Sequence, residues 1–177
     1  MGGRFDFGDI YEQYHRDVYH FALYFTNNRQ EAEDITQETF IKAMHKYDSL
    51  KEPEKLKPWI LSIAKFTAID LKRRQKFITL FPDWLSDKAD EDGKTVEEQV
   101  MDKGNWQELQ AALLKLKPHY RSVIILRGLK ELTVQETAFA LGCGERKVRV
   151  DYHRALNQLK KHVKSVNEGW DLTDGQL

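Results

Sequence analysis

A chain of 177 residues can form one medium domain or two small ones, and its 41% hydrophobic content excludes a globally disordered polymer. The 28 basic and 28 acidic side chains cancel, and a single cysteine, Cys143, excludes an intramolecular disulfide and a cysteine-rich zinc site and fits a reducing compartment. No apolar run approaches the roughly 20 residues needed to cross a bilayer, the start MGGRFDFGDIYEQY lacks the order of a signal peptide, and Gly2 has no Ser or Thr at the sixth position to complete a myristoylation signal, so a soluble, cytoplasmic protein without membrane insertion is expected.

Helical periodicity dominates, with no run of strict two-residue alternation, which predicts an all-α fold: two small helical domains joined by an acidic linker, the second containing a helix-turn-helix. The first helix is expected over residues 7 to 25, with Ile10, Tyr11, Tyr14, Val18, Phe21, Ala22 and Phe25 on one side. TNNRQ breaks it, and Asn28 can cap a second helix over about 30 to 46. In that helix Ala32, Ile35, Thr39, Phe40, Ala43, Met44 and Tyr47 recur at three- and four-residue steps, the stripe a surface helix buries. Asp34, Gln37, Glu38 and Ile41 fall on a separate lane, which needs either water or a partner. After YDSLKEPEKLK a third helix is expected from about 58 to 75, with Pro58 in its first turn and the basic run KRRQK at its end. Its Lys65, Lys72, Arg73 and Arg74, set beside Trp59 and Phe66, combine cations with aromatic faces, as binding of unstacked bases requires; Trp59 also suits a plain core anchor.

Residues 1 to 80 carry 13 basic and 12 acidic side chains and form the first unit, and residues 81 to 104, FPDWLSDKADEDGKTVEEQVMDKG, read as an acidic linker. The second unit spans 105 to 166, and an acidic tail follows from 167 to 177. Residues 107 to 166 hold 12 basic and 5 acidic side chains, and a polyanion responds to that local field rather than to the neutral total.

Within the second unit, TVQETAFALGCGERKVRVDYHRALNQL contains a reciprocal cap, Thr133 with Glu136, then a helix exit at Gly142 where positive φ is cheap. The next helix offers Val148, Tyr152, Ala155, Leu156 and Leu159 for packing and opens basic, as a helix placed in the major groove does. Arg146, Lys147 and Arg149 stand where side chains reach base edges, His153 shares their outer surface, and Arg154 and Lys160 suit phosphate contacts. Arg121 and Arg127 on the preceding helix are candidates for the same backbone-contact surface, whereas Asp151 is out of place beside phosphate. A phosphate-cradling glycine loop, HExxH, GxSxG and CxxC are all missing, and the six histidines lack metal spacing, so neither an enzyme, a cofactor nor a metal site is expected.

These units in this order resemble the extracytoplasmic-function (ECF) group of bacterial RNA polymerase sigma factors, in the sigma-70 superfamily. AEDITQETF resembles the family's AEDLxQExF, KPWILSIAKFTAIDLKRR resembles PWLxxIAxNxxxDxxRR, and LKPHYRSVIILRGLKELTVQETAFALGCGERKVRVDYHRAL resembles region 4. The resemblance implies a non-catalytic subunit that binds core RNA polymerase and directs initiation at promoter DNA. Asp34, Gln37 and Glu38, with Ile41 beside them, would meet the clamp helices of the β′ subunit, and the second unit would meet the β flap. Trp59, Lys65, Phe66, Lys72, Arg73 and Arg74 would serve the −10 element, and Arg121, Arg127, Arg146, Lys147, Arg149, His153 and Arg154 the −35 element. It also implies an anti-sigma factor, often membrane-bound. Phe66 stands where the family commonly has Asn, and Val150 and Asp151 replace Ser and Arg. The competing class is a two-domain helix-turn-helix regulator that works without replacing a polymerase subunit, and a third is a protein adaptor that does not touch DNA.

Overall fold

The computed structural model describes residues 7–80 and 103–163, so the acidic linker expected over 81 to 104 lies almost wholly, and the tail wholly, outside the described residues. Seven α-helices carry the described fold: α1 (Phe7–Thr26), α2 (Arg29–Lys46), α3 (Leu56–Leu80), α4 (Lys103–Lys115), α5 (Pro118–Ile124), α6 (Val134–Leu141) and α7 (Glu145–His162).

Asn27 takes a left-handed φ of 52° at the turn out of α1, and Asn28 then caps α2 by accepting from the Glu31 amide at 3.0 Å. This short turn makes α1 and α2 antiparallel neighbours, and α3 closes the first unit across both. Val18, Phe21, Ala22, Phe25, Ala32, Ile35, Phe40, Ile60, Leu61, Ala64 and Ala68 interlock in its core. Two positions of the expected stripes fall outside it: Tyr11 is 46% exposed and Met44 53% exposed. On α2 the buried set shifts to include Thr36, whose hydroxyl donates to the Ala32 carbonyl at 2.7 Å and so needs no partner elsewhere. α3 starts two residues earlier than the periodicity predicts and runs to Leu80, past the basic run.

In the second unit Leu109, Ala112, Leu113, Leu116, Ile124, Ala155 and Leu159 form a core joining α4, α5 and α7. After α5 the helix widens into one π turn, Ile125–Leu129, and there a Cβ on Gly128 would stand 3.3 Å from the Tyr152 hydroxyl oxygen. The cap of α6 is the expected reciprocal one: Thr133 Oγ1 accepts from the Glu136 amide at 3.1 Å, and the Glu136 carboxylate accepts from the Thr133 amide at 2.8 Å. Gly142, at φ 66°, ends α6, with the Cys143 amide donating back to the Ala138 carbonyl at 3.0 Å. Val148, Asp151, Ala155 and Leu159 are the buried positions of α7.

The two units do not stand apart. Ile125, Leu126, Leu132 and Ala140 of the second unit belong to the same buried cluster as the first unit's core. Along the seam, Trp106 sits edge-on to Tyr24 with centroids 5.1 Å apart, Lys130 pairs with Asp17, and the Lys55 ammonium lies 5.3 Å from the Phe139 ring centroid.

Candidate nucleic-acid interface and docking lane

The polar lane of α2 is open. Asp34, Gln37 and Ile41 are exposed and Glu38 is half-buried. Gln30 donates to Asp34 at 3.3 Å, and Lys42 pairs with Glu38 at 2.7 Å while also donating to Thr67 of α3 at 3.1 Å. These local partners hold the carboxylates in place without covering them. Ile41, 54% exposed, is joined by Met44, so the lane ends in an apolar pair. Sequence reasoning placed Met44 in the core; its spacing serves either face, and only the packing decides.

The basic helix α3 divides into three groups. Phe66, 58% exposed, with Arg73 and Arg74, faces solvent. Trp59 is half-buried against the first core, and Lys72 is held at 2.6 Å by Glu31, which also accepts from Gln75 at 2.7 Å. Lys65 departs from the exposed basic face that the sequence leads one to expect. It is 5% exposed, its Nζ 3.3 Å from the Ala140 carbonyl, 3.5 Å from the Leu141 carbonyl and 3.7 Å from the Phe66 ring centroid. Burial pushes its ammonium pKa down, with proximity to Cys143 acting the other way.

On α7 the two faces separate cleanly, with Arg146, Lys147, Arg149, Val150, His153 and Arg154 outside. Arg149 reaches Glu145 at 3.3 Å, an exposed pair that leaves both charges hydrated. The misplaced carboxylate is not on the outer face at all. Asp151 is 4% exposed, and its Oδ2 lies 2.7 Å from His119 Nε2 and 2.5 Å from Lys147 Nζ. Burial raises its carboxyl, but the hydrogen bonds from Lys147 and His119 outweigh that and hold the pKa below the ordinary value. Asp151 thus ties α7 to α5 and engages the Lys147 ammonium from inside. Cys143, in the turn, is half-buried, and its thiol is pushed up by that burial, which makes it a poor nucleophile.

Arg121 is a second correction. Far from a phosphate-contact surface, it is 8% exposed and donates to the carbonyls of Leu113 at 2.9 Å, Leu114 at 2.8 Å, Leu116 at 3.1 Å and Phe25 at 2.7 Å. The end of α4 leaves carbonyls without intrahelical donors, and one guanidinium satisfies three of them while bridging to α1. A signal for this lay in the sequence: an arginine one turn into a helix that follows another helix's end through LKP. Arg127 is half-buried, donating to the Leu132 carbonyl at 3.1 Å beside the Tyr152 ring. Among the described residues no group of His, Cys, Asp and Glu could hold a metal ion, and no helix is long and apolar enough to cross a membrane.

A three-helix unit with an open acidic lane, followed by a helix-turn-helix unit with an outward basic face, is the build of a sigma-70 type initiation subunit. Residues 10–78 match the family model for sigma-70 region 2, and residues 106–159 match that for sigma-70 region 4. The ECF RNA polymerase sigma factor SigX of Bacillus subtilis is 34% identical over 173 residues, covering 95% of this chain and 88% of the relative. SigM of the same organism is 31% identical, over 90% of this chain and 97% of the relative. In fold, the chain is similar to the sigma factor RpoE from a complex with the anti-sigma factor NepR of Bartonella quintana, with a TM-score of 0.75, 24% identity and coverage of 91% of this chain and 98% of that one. This chain belongs to the ECF family of RNA polymerase sigma factors.

Proposed function

We propose that this sigma factor docks on core RNA polymerase through Asp34, Gln37, Glu38 and Ile41, extended by Met44, and reads promoter DNA with two separate helices. The observation that carries the docking assignment is the open lane of α2, two carboxylates and an amide leading to an exposed apolar pair. The clamp helices of β′ are its proposed partner, and the second unit takes the β flap. Phe66, Arg73 and Arg74, with Trp59 and Lys72 behind them, serve the melted −10 element through stacking and phosphate neutralisation. Arg146, Arg149 and His153 serve the −35 element from the major groove, with Arg154, Lys147 and Arg127 as lesser contacts. The polymerase performs the phosphoryl transfer. The proposal includes an anti-sigma factor, membrane-bound in many such systems, that covers these surfaces until a signal arrives. Run-off transcription with purified core enzyme on random genomic fragments tests the function. Core-dependent start sites with a shared pair of sequence boxes are expected, and their absence with folded protein would remove it.

A further inference from the structure

Asp151 Oδ2 is shared by two nitrogen groups of different kinds. His119 Nε2 of α5 lies 2.7 Å from it and Lys147 Nζ of α7 lies 2.5 Å from it, so a single carboxylate oxygen joins an imidazole to an ammonium. An ionised carboxylate only accepts, which puts a proton on Nε2 of the ring. The carboxylate is buried, while the His119 and Lys147 side chains are 44% and 57% exposed and so open to water. The ionisable groups that act on this pair from the elements packed around it are His119 and Tyr120 of α5 and Cys143 of the turn after α6, and Lys65 of α3 acts in turn on Cys143. Burial holds the thiol above its ordinary value. Among side-chain types, imidazole is the one that ordinarily changes charge between about pH 5 and 8.

Beside a neutral His119, Lys147 brings the full positive charge to the carboxylate, and its ammonium is drawn inward. A protonated ring sets a second cation against the same oxygen. The two cations repel, and the carboxylate no longer needs the lysine to balance its charge. Lys147, on a flexible stem at the outer face of α7, is the one that leaves, toward water or a phosphate. We propose that His119 is a positioning residue for the −35 face: through Asp151 it sets whether Lys147 is held inward or released to duplex DNA, and protonation of the ring releases it. This rests on the −35 role proposed above for α7 and adds the group that adjusts it. Lys147 is then a lesser contact above the imidazole range and a full phosphate contact below it.

The test measures holoenzyme binding to a promoter fragment recovered by run-off transcription, at about pH 8 and about pH 6. The quantity read is the ratio of the Kd of Lys147→Ala to that of the parent chain. His153, exposed on α7, is present in both members of each ratio, so its own effect cancels. A ratio of about 2 to 3 is expected at the higher pH and of about 10 at the lower. His119→Gln, whose amide keeps a neutral donor for Asp151, holds the ratio at about 2 to 3 at both, and His119→Lys holds it at about 10 at both. A ratio that does not change with pH in the parent chain overturns the proposal, and so does an equal rise in His119→Gln. In the free full chain the Lys147 Cε signal, assigned by its loss in Lys147→Arg, is expected to move to the position of a solvated lysine between the same two pH values and to stay in place in His119→Gln. A stationary signal in the parent chain contradicts the proposal as well. Should core-dependent transcription recover no promoter, the sigma-factor function has failed, and the free-chain signal still judges the hold of His119 on Lys147.

Discussion

Helices α3 and α7 are both basic, and the protein treats them in opposite ways. On α7 the burial of Asp151 gathers the one awkward charge inward, and the arginines stay in water. On α3 the central lysine is buried under the neighbouring unit, and the exposed basic and aromatic set is Phe66 with Arg73, Arg74, Lys76 and Phe77 toward the far end. A count of positive side chains therefore overstates what each helix can offer to DNA; the buried cation caps a helix end, and only the exposed one is open to a phosphate.

The comparison can be broken most severely at Arg121. Arg121→Met removes the guanidinium from four carbonyls in a buried site, of which Leu113 keeps a backbone donor, the Leu116 amide, and a loss of about 3 kcal/mol in urea unfolding is expected. A loss under about 0.5 kcal/mol, the ordinary surface value, would return this residue to the exposed basic set. Next is the polar lane of α2, proposed for docking. Reversing Asp34 and Glu38 to arginine together is expected to weaken core polymerase binding about 100-fold, near 2.7 kcal/mol, with the melting temperature nearly unchanged. Equal binding in a competition assay would leave the lane a solvated face.

Within α7 the residues are graded. Arg146→Ala is expected to weaken −35 duplex binding by the holoenzyme about 10-fold and relax the preference at one base pair. Lys147→Ala, whose ammonium is already engaged by Asp151, is expected to cost about 2- to 3-fold and to lower the salt dependence only slightly. Reversal of that order in filter binding would mean that the Asp151 pair is not kept in the complex. A further effect concerns pH. Because the folded-state pKa of Asp151 is lowered, its stabilisation is complete above the ordinary carboxylate value and is lost as pH falls through the lowered one. Asp151→Asn should therefore cost about 1 kcal/mol at neutral pH and nothing at strongly acidic pH; a loss independent of pH would assign the role to shape rather than charge.

Much of this was legible in the sequence because local chemistry decided it. Asn28, Thr133 with Glu136, and Gly142 act within a few residues of themselves, and each does in the fold what its type and spacing imply. The lane of α2 was legible for the same reason, being a matter of angular spacing on one helix. Lys65 and Asp151 were not, because the Ala140 carbonyl and His119 stand 75 and 32 positions away in the chain, and for Arg121 only the bond to Phe25, 96 positions away, was beyond local reading, its other acceptors lying 5 to 8 positions off. A charged residue in a sequence is assigned to the surface by default, and only the tertiary arrangement supplies the carbonyls or counter-charges that make burial affordable. Met44 failed for a smaller reason, since a residue at the border of an amphipathic stripe serves either side.

Footprinting on a promoter recovered by run-off transcription tests the central claim most directly. With core enzyme present, protection over two boxes about 25 base pairs apart and reactive, unpaired bases at the downstream one are expected, all lost in the Asp34 and Glu38 double reversal. The same two-box protection by the free protein, undiminished by the reversal, would contradict it and make the chain an independent DNA-binding regulator.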